Sequence, residues 1–242
     1  NVNRSADGMT QGNRGTAAEQ IVVDATYTAL LPDGISFEQG ACLGVPAMTA
    51  HRALMADGPI KDKWVLVTGG AGAVGLCAIA LAKWAGARVI TTVSGPEKAE
   101  HARQAGADHI INYREENLPE AVLAVTNGTK IDRIVDVALS DTMQDAHLYL
   151  RQGGVIAHYA TTNPAAPLPY RTLLMNNTVL RFVFVYAISP QARQEAITDI
   201  NACLRSGGLR PTIAHTFMLE DIVDAHDAAE QGGFVGNIIL TT

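Results

Sequence analysis

Three glycines at fixed spacing carry the first chemical signal in the chain. Gly70, Gly72 and Gly75 fall within W-V-L-V-T-G-G-A-G-A-V-G, residues 64–75. Val65, Leu66 and Val67 before them suit a strand buried on both faces. An apolar helical pattern follows at once in Val74, Leu76, Cys77, Ile79, Ala80, Leu81 and Trp84. Between a strand and a helix, G-x-G-x-x-G is the spacing of a dinucleotide site. Gly70 is expected to permit the tight turn, and Gly72 to let backbone N–H groups reach a pyrophosphate with no Cβ in the way. Gly75 is expected to let the helix pack closely on the strand. The helix start then offers unpaired N–H groups and a positive dipole end to phosphate. The competing reading is a glycine-rich βα turn that binds nothing.

The end of the next strand chooses between cofactors. NAD sites place Asp or Glu there to bond the ribose 2′-hydroxyl. Here the strand ends Thr91-Thr92-Val93-Ser94-Gly95, and Glu97 comes only inside the following helix start. Lys98 stands one helical turn from the bend. A neutral strand end with a nearby cation suits a 2′-phosphate, hence NADP(H). Lys98 otherwise reads as an ordinary solvated lysine.

These residues need a sheet to hold them. Strands are expected at 88–93, 109–112, 131–137 and 155–159, with helices starting at Ser94-Gly95-Pro96 and spanning 115–125 and 141–150. Strands alternating with helices imply a parallel sheet with right-handed crossovers, the doubly wound α/β Rossmann arrangement. Upstream, 20–31 reads as extended chain, Ser36 to Gln39 as a capping box, and 48–55 as helix. Downstream, 178–186 reads as an aromatic-rich strand, and Ser189-Pro190 caps a long helix to Arg205. Extended chain at 211–217, a helix at 221–231 and a strand at 237–242 close the chain. Residues 1–14 and 163–167 read as loops.

Composition narrows the function classes. A net charge of −6 argues against nucleic acid or an anionic membrane surface as partner. No apolar run reaches spanning length, since Lys83 interrupts the best one. Three scattered cysteines, with no C-x-x-C, argue against a disulfide scaffold or structural zinc and fit a reducing cytoplasm.

The sequence resembles the quinone oxidoreductase (zeta-crystallin-like) branch of the medium-chain dehydrogenase/reductase superfamily. Its marks are G-T-A-A-E at 15–19, A-C-L-G-V-P-A-M-T-A-H-R-A at 41–53, the glycine turn, A-G-A-D-H-I-I-N-Y-R at 105–114, Q-G-G-V-I at 152–156 and V-G-N-I-I-L at 235–240. The resemblance implies a Rossmann domain at 46–186, a remnant of a chaperonin-10-like substrate domain at 1–45, and a return to that domain at 187–242. It also implies an N-terminally truncated piece of a longer enzyme.

Residue by residue, the resemblance implies NADP(H) contacts at Ala73 and Val74 for the pyrophosphate and at Ser94, Gly95 and Lys98 for the 2′-phosphate. Tyr113 would lie near the adenosine and Ala138 would line the cleft. Tyr159, Ala160 and Thr161 would pass under the nicotinamide-side ribose. Phe184, Val185 and Tyr186 would present backbone to the carboxamide, with Asn237 near the nicotinamide end. Many relatives have Lys at Asn237 and an aromatic at His51. Tyr113 and Tyr159 also read as ordinary strand-end packing. Thr49 would lie beside the nicotinamide ring, or is merely a helix-entry threonine. Asp136, after the fourth strand, reads as structural.

Zinc-dependent relatives place a cysteine ligand where this chain has Val45, an aliphatic that cannot ligate, and Cys42 stands three residues too early. No metal is therefore expected. The implied activity is zinc-independent hydride transfer from NADPH to a quinone or α,β-unsaturated carbonyl. Enoyl-thioester reduction, alcohol oxidation and a non-catalytic NADPH-binding role stay open. The resemblance further implies a homodimer through the apolar edge strand bounded by Leu180 and Tyr186.

Overall fold

The run Trp64–Val67 is apolar at every position, and all four residues are buried. It is strand β1, and burial on both faces requires cover on both sides. The computed structural model describes residues 17–160 and 167–242 and supplies that cover. Helices α1 (Phe37–Ala41) and α2 (Gly44–Met55) precede β1, and α3 (Ala73–Trp84) follows it. Four more βα steps continue the chain: β2 (Arg88–Val93), α4 (Pro96–Gln104), β3 (His109–Asn112), α5 (Leu118–Val125), β4 (Ile131–Asp136), α6 (Leu139–Tyr149), β5 (Leu150–His158) and α7 (Tyr170–Met175). Strand β6 (Val179–Phe182) ends the sheet.

All neighbouring strands pair parallel, in the order β3-β2-β1-β4-β5-β6. That is the doubly wound dinucleotide order, with its switch point between β1 and β4. Val65 and Val67 face one apolar layer with residues of α2 and α3, joined by Ala196, Ile200 and Cys203. Trp64 and Leu66 face the other layer, with Val122, Met143 and Tyr149. The period-2 alternation of one short strand thus joins both layers.

The rest of the chain is helix α8 (Pro190–Arg205), strand β7 (Ile213–Met218), helix α9 (Ile222–Gln231) and strand β8 (Asn237–Thr241). β7 and β8 form a separate two-stranded parallel sheet. α8 is capped by Ser189, whose Oγ accepts from Ala192 N–H at 3.2 Å. The capping box at Ser36 and Gln39 is present, with bonds of 3.0 and 3.2 Å.

Several boundaries differ from the sequence reading. α2 begins at Gly44, four residues early, because Pro46 fits a first turn that needs no N–H there. Thr49 therefore lies mid-helix and is not a helix-entry residue. β5 begins at Leu150, and a register shift absorbs residues 151–154. β6 stops at Phe182, since residues 185–187 close into a 3-10 turn. α7 carries no strong sequence signal and was not expected. The 20–31 segment holds a 3-10 turn, Ala25–Tyr27, capped by Asp24. The loops expected at 1–14 and through 163–166, and Thr161 with them, lie outside the described residues.

Candidate functional site

The glycine turn is built from β1 outward. Gly69 has φ +67°, so the left-handed residue of the turn is Gly69 and not Gly70. Its N–H donates to Thr92 Oγ1 at 3.1 Å, and Gly70 N–H donates to Thr92 O at 2.9 Å. Gly70 is required for a different reason: a Cβ there would lie 1.9 Å from Thr91 Oγ1. Gly72 is the N-cap of α3 with no side-chain cap. A Cβ on it would meet nothing closer than the Gly69 carbonyl at 3.4 Å, so its outer side is open. Gly75 packs on the turn itself, its absent Cβ 2.3 Å from Gly69 O. The first N–H groups of α3, at Ala73, Val74 and Gly75, have no carbonyl within the helix to bond. Such an arrangement is able to hold an anion at a helix start.

The second group gathers where β2 and β3 end. Val93 pairs with Asn112, which brings Ser94 and Tyr113 out at adjacent strand ends. Lys98, in the first turn of α4, donates through Nζ to Ser94 Oγ at 3.1 Å. Gly95 opens on free space. Tyr113 is half exposed, at 52%. The end of β2 carries the Lys98 ammonium and the Ser94 hydroxyl and no carboxylate, donors that suit a phosphate better than a ribose hydroxyl; at the end of β3 the Glu116 carboxylate accepts from Asn112 N–H at 2.7 Å.

The third group sits where β4 and β5 end. Asp136 is fully buried, and its register partner on β5 is His158. His158 Nδ1 lies 2.7 Å from Asp136 Oδ2. Thr68 Oγ1 donates to Asp136 Oδ1 at 3.2 Å, and Thr142 Oγ1 donates to the same oxygen. Burial works against a charge on His158, but the Asp136 hydrogen bond and charge outweigh it and hold its pKa above the ordinary value. Burial and the same carboxylate push the Tyr159 phenol up, so it stays protonated. The backbone follows the pair closely. Val137 N–H donates to Thr68 Oγ1 at 2.9 Å, and Ala138 N–H to Asp136 Oδ1 at 3.3 Å. Tyr159 N–H donates to Asp136 O at 3.3 Å and Val183 N–H to His158 O at 2.8 Å.

Beyond β6, Phe184 and Tyr186 stack edge-to-face at 5.3 Å, and α2 packs beside their turn. Thr49 is buried within α2. Asn237 opens β8, where its Nδ2 donates to Thr212 O at 3.1 Å. It joins Ala73 in the wall of a cavity of about 580 Å³ between α3, α4 and residues 207–212. The structure thus gathers the sequence-expected residues at three places: the glycine turn, the β2–β3 rim, and the β4–β5–β6 exit. Asn237 meets the first through that cavity.

Gly69, Thr68, Thr92, Thr142 and His158 escaped the sequence reading. The doubled glycine at 69–70 was a visible signal for Gly69. Nothing in the spacing of Asp136 and His158 joins them; only the parallel register does.

The donors present do not fit a zinc ion. Val45 is aliphatic, and Cys42 donates its thiol to Glu38 O at 3.3 Å. Among the described residues, no group of three His, Cys, Asp or Glu side chains is placed to hold a metal. Among the same residues no helix is long and apolar enough to cross a membrane.

Comparison with known proteins places these features in context. The family model described as zinc-binding dehydrogenase matches residues 73–202. A quinone oxidoreductase of Salmonella typhimurium is 31% identical over 230 residues, covering 90% of this chain and 69% of that protein. The crystal structure of Escherichia coli quinone oxidoreductase complexed with NADPH is 29% identical with a TM-score of 0.79, covering 90% of this chain and 69% of that one. A 2-haloacrylate reductase structure is 28% identical with a TM-score of 0.80, covering 88% and 68%.

Proposed function

The chain belongs to the zinc-binding dehydrogenase family, in the quinone oxidoreductase branch of the medium-chain dehydrogenase/reductase superfamily, and from that premise we propose a zinc-independent reductase of quinones or α,β-unsaturated carbonyls. It is an NADP(H)-dependent oxidoreductase. The observation that carries the cofactor choice is the Lys98–Ser94 contact at a β2 end without a carboxylate. The aliphatic Val45 at the ligand position, and the Cys42 thiol donating to Glu38 O, support chemistry without zinc.

Bound NADPH supplies the hydride, from its nicotinamide C4. The chain's own work is to hold, orient and keep dry. Lys98, Ser94 and Gly95 take the 2′-phosphate, and Tyr113 lies beside the adenosine. Gly70, Gly72 and Gly75 shape the turn on which Ala73 and Val74 present N–H groups to the pyrophosphate. Ala138, Tyr159 and Ala160 line the nicotinamide side. Phe184, Val185 and Tyr186 face the carboxamide, with Thr49 beside the ring; Asn237 shares a cavity with Ala73 on the glycine-turn side. Fixing the ring against the acceptor makes the transfer effectively unimolecular. A reduced quinone oxygen is a stable anion, so a quinone acceptor needs no strong acid from the protein. The division at 45 and 186, and a homodimer through the β6 edge, belong to the same proposal.

The test is NADPH consumption with a quinone and an enone panel, beside NADH and with chelator. Chelator-insensitive oxidation of NADPH in preference to NADH is expected. Tight NADPH binding without turnover on any acceptor overturns the reductase reading, and loss of turnover with chelator overturns the zinc-free one.

A further inference from the structure

We propose that Asp136 and His158 form a positioning pair that fixes the exits of β4, β5 and β6, so that the backbone at 137–138 and 159–160 meets the nicotinamide half of the cofactor. The inference rests on the reading that this cleft takes NADPH.

The two residues are the last of their strands and face each other across the β4–β5 ladder. Beyond them the chain leaves the sheet, on the side where open α/β sheets bind ligands. Asp136 collects four donors: the Thr68 and Thr142 hydroxyls, the Ala138 N–H and His158 Nδ1. A buried carboxylate so satisfied has one favourable placement. Three strand exits then hang from the pair and from the Thr68 hydroxyl that bonds it. Val137 is held by Thr68, Ala138 by the Asp136 side chain, Tyr159 by the Asp136 carbonyl and Val183 by the His158 carbonyl. A device serving fold stability alone could sit anywhere along the strands; this one occupies the terminal residues from which the cleft-lining loops start.

His158 does not act as an acid in the transfer. Its Nδ1 bonds Asp136 at 2.7 Å. Phe182 covers it edge-on, with ring centroids 6.3 Å apart. With Nδ1 engaged and only 7% of the residue exposed, it acts on the reaction through the loops.

The experiment compares binding of NADPH and of adenosine 2′,5′-bisphosphate, which lacks the nicotinamide half, by titration calorimetry on the full protein. The variants are His158→Ala, His158→Asn and Thr142→Val. His158→Ala is expected to weaken NADPH about tenfold while leaving the bisphosphate within about twofold, the size of one charge-assisted bond acting at a distance. His158→Asn keeps a donor where Nδ1 stands and restores most of the affinity. Thr142→Val, nearly isosteric, gives a smaller loss confined to NADPH and stands in should His158→Ala not fold. Equal losses for both ligands, or unchanged NADPH binding in His158→Ala, overturn the inference alone. A wild-type protein that binds neither ligand overturns the cofactor reading, and the inference with it.

Discussion

A Cβ placed on Gly75 would stand 2.3 Å from the carbonyl oxygen of Gly69 and 2.9 Å from the Cα of Gly70. Both opposing atoms are backbone, so nothing flexible can yield. Gly75→Ala is therefore expected to displace the turn and destabilise the fold by about 1–3 kcal/mol, as overpacking does. Gly72→Ala meets only ordinary contact at 3.4 Å. It should leave stability nearly unchanged and still abolish tight NADPH binding, because the new methyl fills the phosphate's approach. Urea denaturation beside cofactor titration separates the two. Equal stability loss in both variants would refute the division of labour between these glycines.

Lys98 is exposed, and its Nζ bonds Ser94 Oγ rather than any carboxylate. Lys98→Ala should weaken NADPH about tenfold and leave NADH nearly unaffected, since only the 2′-phosphate loses a charge-assisted bond. The preference should also shrink with added salt, because an exposed charge is screened. Steady-state KM values for both cofactors at two ionic strengths decide it. Parallel losses for NADH and NADPH would remove Lys98 from the phosphate site.

The glycine turn and the alternation of strands with helices were legible because both are local. Val65 and Val67 alternate with Trp64 and Leu66, and each set found its own layer. Ser189 and Ser36 announced their helices by cap chemistry that acts within three residues. What stayed hidden depends on pairing between distant segments. Asp136 and His158 become neighbours only through the β4–β5 register, and Arg133 and Asp57 only because α2 crosses the sheet. The early end of β6 was hidden for a related reason. The aromatic run through Phe182 and Phe184 has strand propensity throughout, but residues 185–187 turn away after the bond from Val183 N–H to His158 O.

Arg133 lies in the middle of β4 at 3% exposure and donates to Ala53 O at 2.6 Å and Asp57 Oδ2 at 2.9 Å. Arg181 on β6 grips the same carboxylate through two nitrogens. Burial works against the Asp57 charge, yet the two guanidiniums hold its pKa below the ordinary range. Asp57→Ala strands a buried cation and should cost about 3–5 kcal/mol. Removing the surface partner Glu100 of Arg103 should cost about 0–1 kcal/mol. Urea midpoints of the two variants test this, and similar midpoints would contradict it.

Two buried histidines give pH slopes of opposite sign. Burial pulls His51 below its ordinary pKa against the attraction of Asp199, 2.8 Å away. The unfolded chain then binds a proton that the folded chain resists, so stability is lost as pH falls below about 6.5. His158 is the reverse. Burial opposes its charge, but Asp136 outweighs burial and raises it. Its contribution is complete below about pH 6.5 and disappears as pH rises through the raised folded value. Across about pH 5 to 8, His51→Phe should flatten the acid-side loss and His158→Asn the alkaline-side loss. Curves parallel to the wild type in either variant would exclude that histidine as the source.

β6 pairs with β5 on one side, and its other edge is open among the described residues. The strand and its flanks expose large apolar side chains, with Val179 at 42%, Phe182 at 64% and Phe184 at 51%. An unpaired apolar edge is a template for a second copy of itself, and a charge on the strand is the usual way to block it. Light scattering should therefore give a dimer mass for the wild type and a monomer mass for Val179→Lys. Phe182→Lys should do the same, but Phe182 also covers His158, so its NADPH affinity is expected to fall as well. Val179 lacks that second duty, and its variant should keep the wild-type affinity while losing the partner. A monomeric wild type, or a dimer that survives both lysines, would rule out assembly through this edge.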